Sequence, residues 1–196
     1  MFPKRIERIR IMATIKKATV KPYKVVLAGK EYYDLHRINH SGVSAYIQCS
    51  WFSDNQMRFM EKGLEALAGN LTFNLANSHH PLSHQYNDIN VNDHPEVMDD
   101  FEWQECTVNM DLEAMKSNPI GVALYMPSEP DEGIAWESGW LYASHKPNLV
   151  VIPDDEITTP LNLMMIKNTR IIKLSELQSF DFNHDLIYKP YRGKVF

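Results

Sequence analysis

The chain has 196 residues, 44% hydrophobic and 23% charged, the proportions of a globular protein with one domain and a sizeable core. No apolar run approaches the roughly 20 residues that span a bilayer. The two distant cysteines, Cys49 and Cys106, argue against a disulfide framework or a thiolate metal site and fit a reducing, cytoplasmic compartment.

The net charge of -5 is unevenly spread: residues 1–40 hold ten Lys/Arg and three acids, leaving ten bases and 22 acids in the remaining 156. So acidic a body repels a phosphate backbone, and nucleic acid is not an expected partner. Residues 1–43 read as a basic, partly irregular N-terminal extension, a solvated arm rather than a secretory signal. Its opening, Met1 to Arg10, is Arg-rich like a transit peptide but poor in serine and interrupted by Glu7. Within the extension, Lys24 to Gly29 suits a short strand and turn, with an irregular lead-in as far as Gly42.

From residue 44 the pattern becomes regular. Ala45 to Cys49 reads as a buried strand, and Ser53 or Asp54 can cap the helix that follows. There Met57, Met60, Leu64 and Leu67 recur at helical spacing until Gly69-Asn70. Leu71 to Leu75 is a candidate second strand. Asn77 to Asn92 is a long polar loop, the kind that often binds ligands. A second helix is expected from Pro95 to Lys116, since proline suits a first turn. An apolar strand, Ile120 to Met126, leads through an acidic loop into a third helix, Ile134 to Ser144. Asn148 to Ile152 and Arg170 to Leu174 complete about five strands, with Leu161 to Lys167 between them.

These strands are apolar on both faces and alternate with helices, which predicts a small doubly wound, flavodoxin-like parallel sheet with helices on both sides. Ligands in such folds sit beyond the carboxyl ends of the strands. Acids are concentrated at that edge: Asp131, Glu132 and Glu137 follow the Ile120–Met126 strand, and Asp111 lies on the preceding helix. Glu137 sits between small residues, with Trp136 and Trp140 able to wall it from water. A partly desolvated carboxylate can attack an electrophilic sugar carbon, with a second acid protonating the leaving group. Alternatively, Asp131 and Glu132 are ordinary first-turn acids favoured by the helix dipole. His79, His80, His84 and His94 lack the compact spacing of a metal motif, and no metal or cofactor is expected. GxxxxGK[ST], GxGxxG and GxSxG signatures are all missing from the sequence.

From Ala45 to Phe196 the chain resembles the nucleoside 2-deoxyribosyltransferase family, in particular bacterial members that accept purine and pyrimidine deoxynucleosides. The resemblance runs through Trp51-Phe52-Ser53-Asp54-x-Gln56, Asn77-Ser78-x-x-Pro81-Leu82-x-x-Gln85-Tyr86 and Asp93-His94-Pro95-Glu96. It continues through Asn109-x-Asp111-Leu112, Tyr125-x-Pro127, Asp131-x-Gly133-x-x-x-Glu137-x-Gly139, Val151-Ile152-Pro153-Asp154 and Asn162-Leu163-Met164. It implies that Glu137 is the nucleophile, Tyr46 its orienting partner and Asp111 the acid that handles the base's proton. By the same resemblance, Asp131 and a neighbouring subunit's Asn162 grip sugar hydroxyls, while Gln85 and Phe52 belong to the base pocket. Met164 would be lent across a subunit interface, and the terminal carboxylate on Phe196 would reach the site.

The partners implied are deoxyribonucleosides and free nucleobases, used by a homo-oligomer, a hexamer or dimer, with shared active sites. Residues 44–196 would form the transferase domain, serving nucleoside salvage. Two other readings use the same residues: a deoxynucleoside hydrolase on this scaffold, and a non-catalytic nucleoside-binding module. One departure stands out. Gln48-Cys49-Ser50 occupies the place of a Gly-Ala-Gly-type turn, and its bulkier side chains are expected to narrow the pocket or change base preference.

Overall fold

The computed structural model describes residues 23–27, 30–34 and 42–196. Among the described residues, Tyr23–Leu27 (β1) and Lys30–Asp34 (β2) come first and pair antiparallel, with Leu27 opposite Lys30. The strand expected from Lys24 is therefore present, and its partner occupies part of the supposed irregular lead-in. A charged pentapeptide, Lys-Glu-Tyr-Tyr-Asp, announces no strand locally; the backbone pairing supplies what the side chains do not. The expected Ala28-Gly29 turn lies outside the described residues.

The body is a four-stranded parallel sheet. Ala45–Cys49 (β3), Ile120–Leu124 (β4), Asn148–Ile152 (β5) and Arg170–Lys173 (β6) lie side by side in that order. Ile47 stands opposite Val122, Ala123 opposite Val150 and Val151 opposite Ile172. Every residue of β3, β4 and β5 is buried, as expected where helices cover both faces. Because successive side chains alternate, one face presents Ile47, Val122, Leu124 and Val151 to Phe59, Met60, Leu64 and Leu67 of helix α1 (Asp54–Ala68) and to Leu177 of the short α4 (Leu174–Leu177). The other face turns Tyr46, Ala123, Val150 and Ile152 toward helices α2 (Phe101–Ser117) and α3 (Glu132–Ala143). The doubly covered α/β architecture is as the sequence predicts, with four strands in the main sheet rather than five.

Local chemistry explains the boundaries. Ser53 caps α1 through a reciprocal box: its hydroxyl accepts from the Gln56 amide, and the Gln56 side chain accepts from the Ser53 amide. Asp100 caps α2 by accepting from the Glu102 and Trp103 amides. Hence Pro95–Asp99 is a separate 3-10 turn and not the first turn of α2.

The expected strand Leu71–Leu75 reduces to a parallel bridge, Phe73 beside Val43. Side-chain hydrogen bonds divert it. Asn74 caps a 3-10 turn at Leu75–Asn77, and Ser78 takes the Ala45 amide on its hydroxyl. Polar side chains that compete with the backbone in this way favour turns over ladders. His79 then rejoins the edge of β3, donating its amide to Ala45 and accepting the Ile47 amide.

Candidate active site

The site forms where β3, α2 and α3 converge. Tyr46 is the second residue of β3, and its alternation places the ring on the α2–α3 side, fully buried. Its hydroxyl donates to Glu137 Oε1 at 2.6 Å. Glu137 lies about one turn into α3, a helix fixed at its start by Asp131, whose Oδ1 accepts from the Ile134 amide at 2.9 Å. Gly133 gives the cap room: a Cβ on it would come within 2.8 Å of that carboxylate oxygen and push it aside. Asp131 thus also serves as the helix cap that its position at the first turn allows.

Burial raises the Glu137 carboxyl to about 8, and the nearby charges of Asp111 and Asp131 add to the rise while the Tyr46 hydrogen bond opposes it. The Tyr46 hydroxyl is likewise pushed up, first by burial and then by the charges of Glu137 and Asp111, so it remains a donor. Asp111, from the middle of α2, is held on its Oδ1 by His79 Nε2 at 2.9 Å. Two acids and one hydroxyl donor therefore meet at a half-buried point.

The remaining predicted residues fall into two groups. Asp131, Asn162, Met164 and Phe196 line a cavity of about 770 Å³ together with Tyr125 and Tyr142. Its α3 wall is Glu132, Ala135, Ser138, Gly139 and Tyr142; at 100° per residue all of these but Ser138 lie on the face away from Glu137. Phe52 and Gln85 join neither cluster. Phe52 is largely exposed beside Trp51, and buried Gln85 uses its Oε1 on the Val91 amide.

The Gln48-Cys49-Ser50 departure has a different outcome from pocket narrowing. Gln48 is fully buried in a closed amide layer beneath α3: its Nε2 donates to Asn148 Oδ1 at 2.7 Å, and its Oε1 accepts from Ser138 Oγ at 2.9 Å. Asn148 Nδ2 also reaches Ser138 Oγ and Asn168 Oδ1, and Asn168 Nδ2 closes on the Met165 carbonyl. Gly121 makes this possible, since a Cβ there would collide with Asn148, Gln48 and Leu141. Cys49 turns to the opposite face, its Sγ 3.0 Å from His80 Nε2. Burial and the neighbouring His84 and His79 depress the His80 imidazole to about 3, so this buried ring stays neutral.

A family model described as nucleoside 2-deoxyribosyltransferase matches residues 45–171. The chain belongs to this family. The transferase is 38% identical over 152 residues to a nucleoside deoxyribosyltransferase of Lactobacillus leichmannii, covering 77% of this chain and 96% of that one. It is 39% identical over 147 residues to that of Lactobacillus johnsonii (74% and 98%), and 34% identical over 159 to that of Limosilactobacillus fermentum (77% and 93%). In structure it superposes on a 2-deoxyribosyltransferase from Bacillus psychrosaccharolyticus with a TM-score of 0.61 at 24% identity, over 76% of this chain and 99% of that chain. The transferase is thus a member of an enzyme family that moves deoxyribosyl groups.

Sequence reasoning missed two parts of the transferase's site. The amide layer has no local signature, because its members are up to 100 residues apart. His79 does carry a signal, the histidine-rich loop, but histidine spacing by itself speaks only to metal binding. Among the described residues they disperse instead into pairs: His79 with Asp111, His80 with Cys49, His84 with the His80 carbonyl and His94 with Glu96.

Proposed function

We propose that this enzyme moves a 2-deoxyribosyl group between nucleobases through a covalent ester on Glu137, as a step of nucleoside salvage. Glu137 reacts as the carboxylate, its own proton lost to solvent beforehand: one oxygen attacks the anomeric carbon, and the new C–O bond forms as the C–N bond to the base breaks. The bond's electron pair leaves with the base, and protonated Asp111 supplies the proton that neutralises it. The incoming base reverses the sequence, giving its proton to Asp111 as its nitrogen displaces Glu137. The observation that carries this reading is the 2.6 Å bond from Tyr46 to Glu137. It aims one carboxylate oxygen and stabilises its charged form against the surrounding acids. Asp131 holds the sugar, with Gln85 and Phe52 toward the base.

Sites are shared between subunits in this reading. Asn162 and Met164 line a cavity against α3 that Asp131 also reaches, and in this reading they serve a neighbour's sugar. Helix α3 carries apolar side chains on more than one face, burying Ile134 and Leu141 yet exposing Trp136 and Tyr142, and the exposed aromatics suit cover by a second chain. We therefore take the active form as a homo-oligomer, a dimer or a hexamer built from three dimers, with residues 44–196 as the domain and residues 1–43 as an extension.

A base-exchange matrix tests the activity. Deoxyinosine or thymidine is incubated with and without adenine or cytosine, and new deoxynucleoside is measured against free deoxyribose. Exchange that requires the acceptor supports transfer; sugar release at the same rate without acceptor makes the enzyme a hydrolase. Sharing is tested by mixing inactive Glu137→Ala and Asn162→Ala chains. Recovery of up to about a quarter of the activity is expected, since half of the random dimers carry one intact site of two; no recovery would confine each site to one chain.

A further inference from the structure

Among the described residues, the histidine-bearing loop is a chemistry-rich segment that the reaction above does not use. His79 is the residue of that loop with most constraints on it. Its backbone is bonded on both sides to β3, with the His79 amide on the Ala45 carbonyl and the Ile47 amide on the His79 carbonyl. Its ring lies between two others, stacked on Tyr46 at 5.6 Å between centroids and on His84 at 4.5 Å. Its Nε2 reaches Asp111 Oδ1 at 2.9 Å, with the two side chains 13% and 20% exposed. Backbone, ring plane and ring edge are all held, which is unusual for a loop residue and typical of a group that orients another.

We propose that His79 is a positioning residue for the leaving-group proton, fixing Asp111 so that its second oxygen faces the departing base. The proposal rests on the reading of Asp111 given above. A carboxylate only accepts hydrogen bonds, so against ionised Asp111 the Nε2 atom carries the proton. That bond occupies Oδ1 and leaves Oδ2 as the oxygen that exchanges a proton with the base. The same ring covers Tyr46, the donor to Glu137, so one imidazole sets both the acid and the hydroxyl that aims the nucleophile. The charged and titratable groups facing it are Asp111 from α2, Tyr46 from β3 with Glu137 of α3 behind it, and His80 and His84 from its own loop, Asp88 acting through His84. Burial lowers the His84 imidazole, which leaves a neutral ring stacked on His79.

General acid catalysis contributes about 10²–10⁴-fold, and misplacing the acid forfeits part of that. The experiment compares wild type with His79→Phe, which keeps a flat ring and loses the donor, and His79→Gln, whose terminal amide can donate to Asp111. Two donors are used: deoxyinosine, whose base must gain a proton, and 7-methyl-2-deoxyguanosine, whose base leaves neutral without one. With deoxyinosine, His79→Phe is expected to lower kcat about tenfold to a hundredfold with KM nearly unchanged, and His79→Gln to restore most of it. With the methylated donor, His79→Phe should stay within about threefold of wild type, which also shows that the variant folds. Equal losses on both donors, or a kcat loss that glutamine does not restore, would overturn the proposal and leave His79 as packing. Glu137→Ala is run alongside. If that variant kept wild-type turnover, the covalent reading itself would fail, independently of what His79 does.

Discussion

Glu137 and Ser138 are neighbours on α3, yet they belong to opposite kinds of polar interior. Ser138 joins Gln48, Asn148 and Asn168 in a neutral layer where each group is paired, so burial there costs little and pins α3 to the sheet. Glu137 faces two other acids with a single hydroxyl to favour its charge. The helix is thus anchored by its satisfied side so that its unsatisfied side can be kept reactive. Polar groups one residue apart divide the work of stability and chemistry.

The largest effect is expected from breaking the reactive side. Glu137→Ala should lower exchange by about 10⁴–10⁶-fold while deoxynucleoside binding by calorimetry persists; near-normal turnover would remove Glu137 from the mechanism. Next comes the anchoring side. Gly121→Ala forces a methyl into the amide layer and should destabilise the fold by about 2–4 kcal/mol in urea denaturation. A change below about 0.5 kcal/mol would mean that the layer is not under the packing constraint described.

Tyr46→Phe removes the one group that favours the Glu137 charge. It should lower kcat about tenfold to a hundredfold and move the acid limb of the pH–rate profile to higher pH. An unmoved limb would show that a different group titrates. The smallest effect concerns stability. Unfolded, the Glu137 carboxyl ionises near 4.5; folded, it keeps its proton to about 8. Between those values the folded state binds more protons, so stability falls as pH rises through the window and the penalty is complete above it. Glu137→Gln should therefore gain about 1–2 kcal/mol over wild type above about pH 8, with the difference vanishing near pH 4.5. A constant difference across that range would contradict the assignment.

Much of the fold is legible in the sequence because its signals are local. The Ser53–Gln56 box, the Met57-Met60-Leu64-Leu67 stripe and the uniformly apolar strands each declare themselves within fifteen residues. What failed was decided by competition. Leu71–Leu75 has strand composition, but Asn74 and Ser78 capture backbone groups for a turn. Pro95 looks like a helix start, but Asp100 is the better cap. Lys30–Asp34 pairs only because β1 is beside it. In the site, Glu137 on its helix follows from a desolvated acid among small residues. Its pairing with Tyr46, 91 residues earlier, was reached only through family resemblance, since no spacing rule spans such a separation.

The loop from Phe73 to His79 has one more consequence. Parallel sheets end in a row of open amides and carbonyls that invites other chains to add on. On the outer side of β3, the Val43, Ala45 and Ile47 amides are already taken by Thr72, Ser78 and His79. The segment that brings histidine to Asp111 is therefore also a plug against aggregation. Shortening it to widen substrate range would expose a sticky border, and engineered variants should be screened for solubility before they are screened for rate.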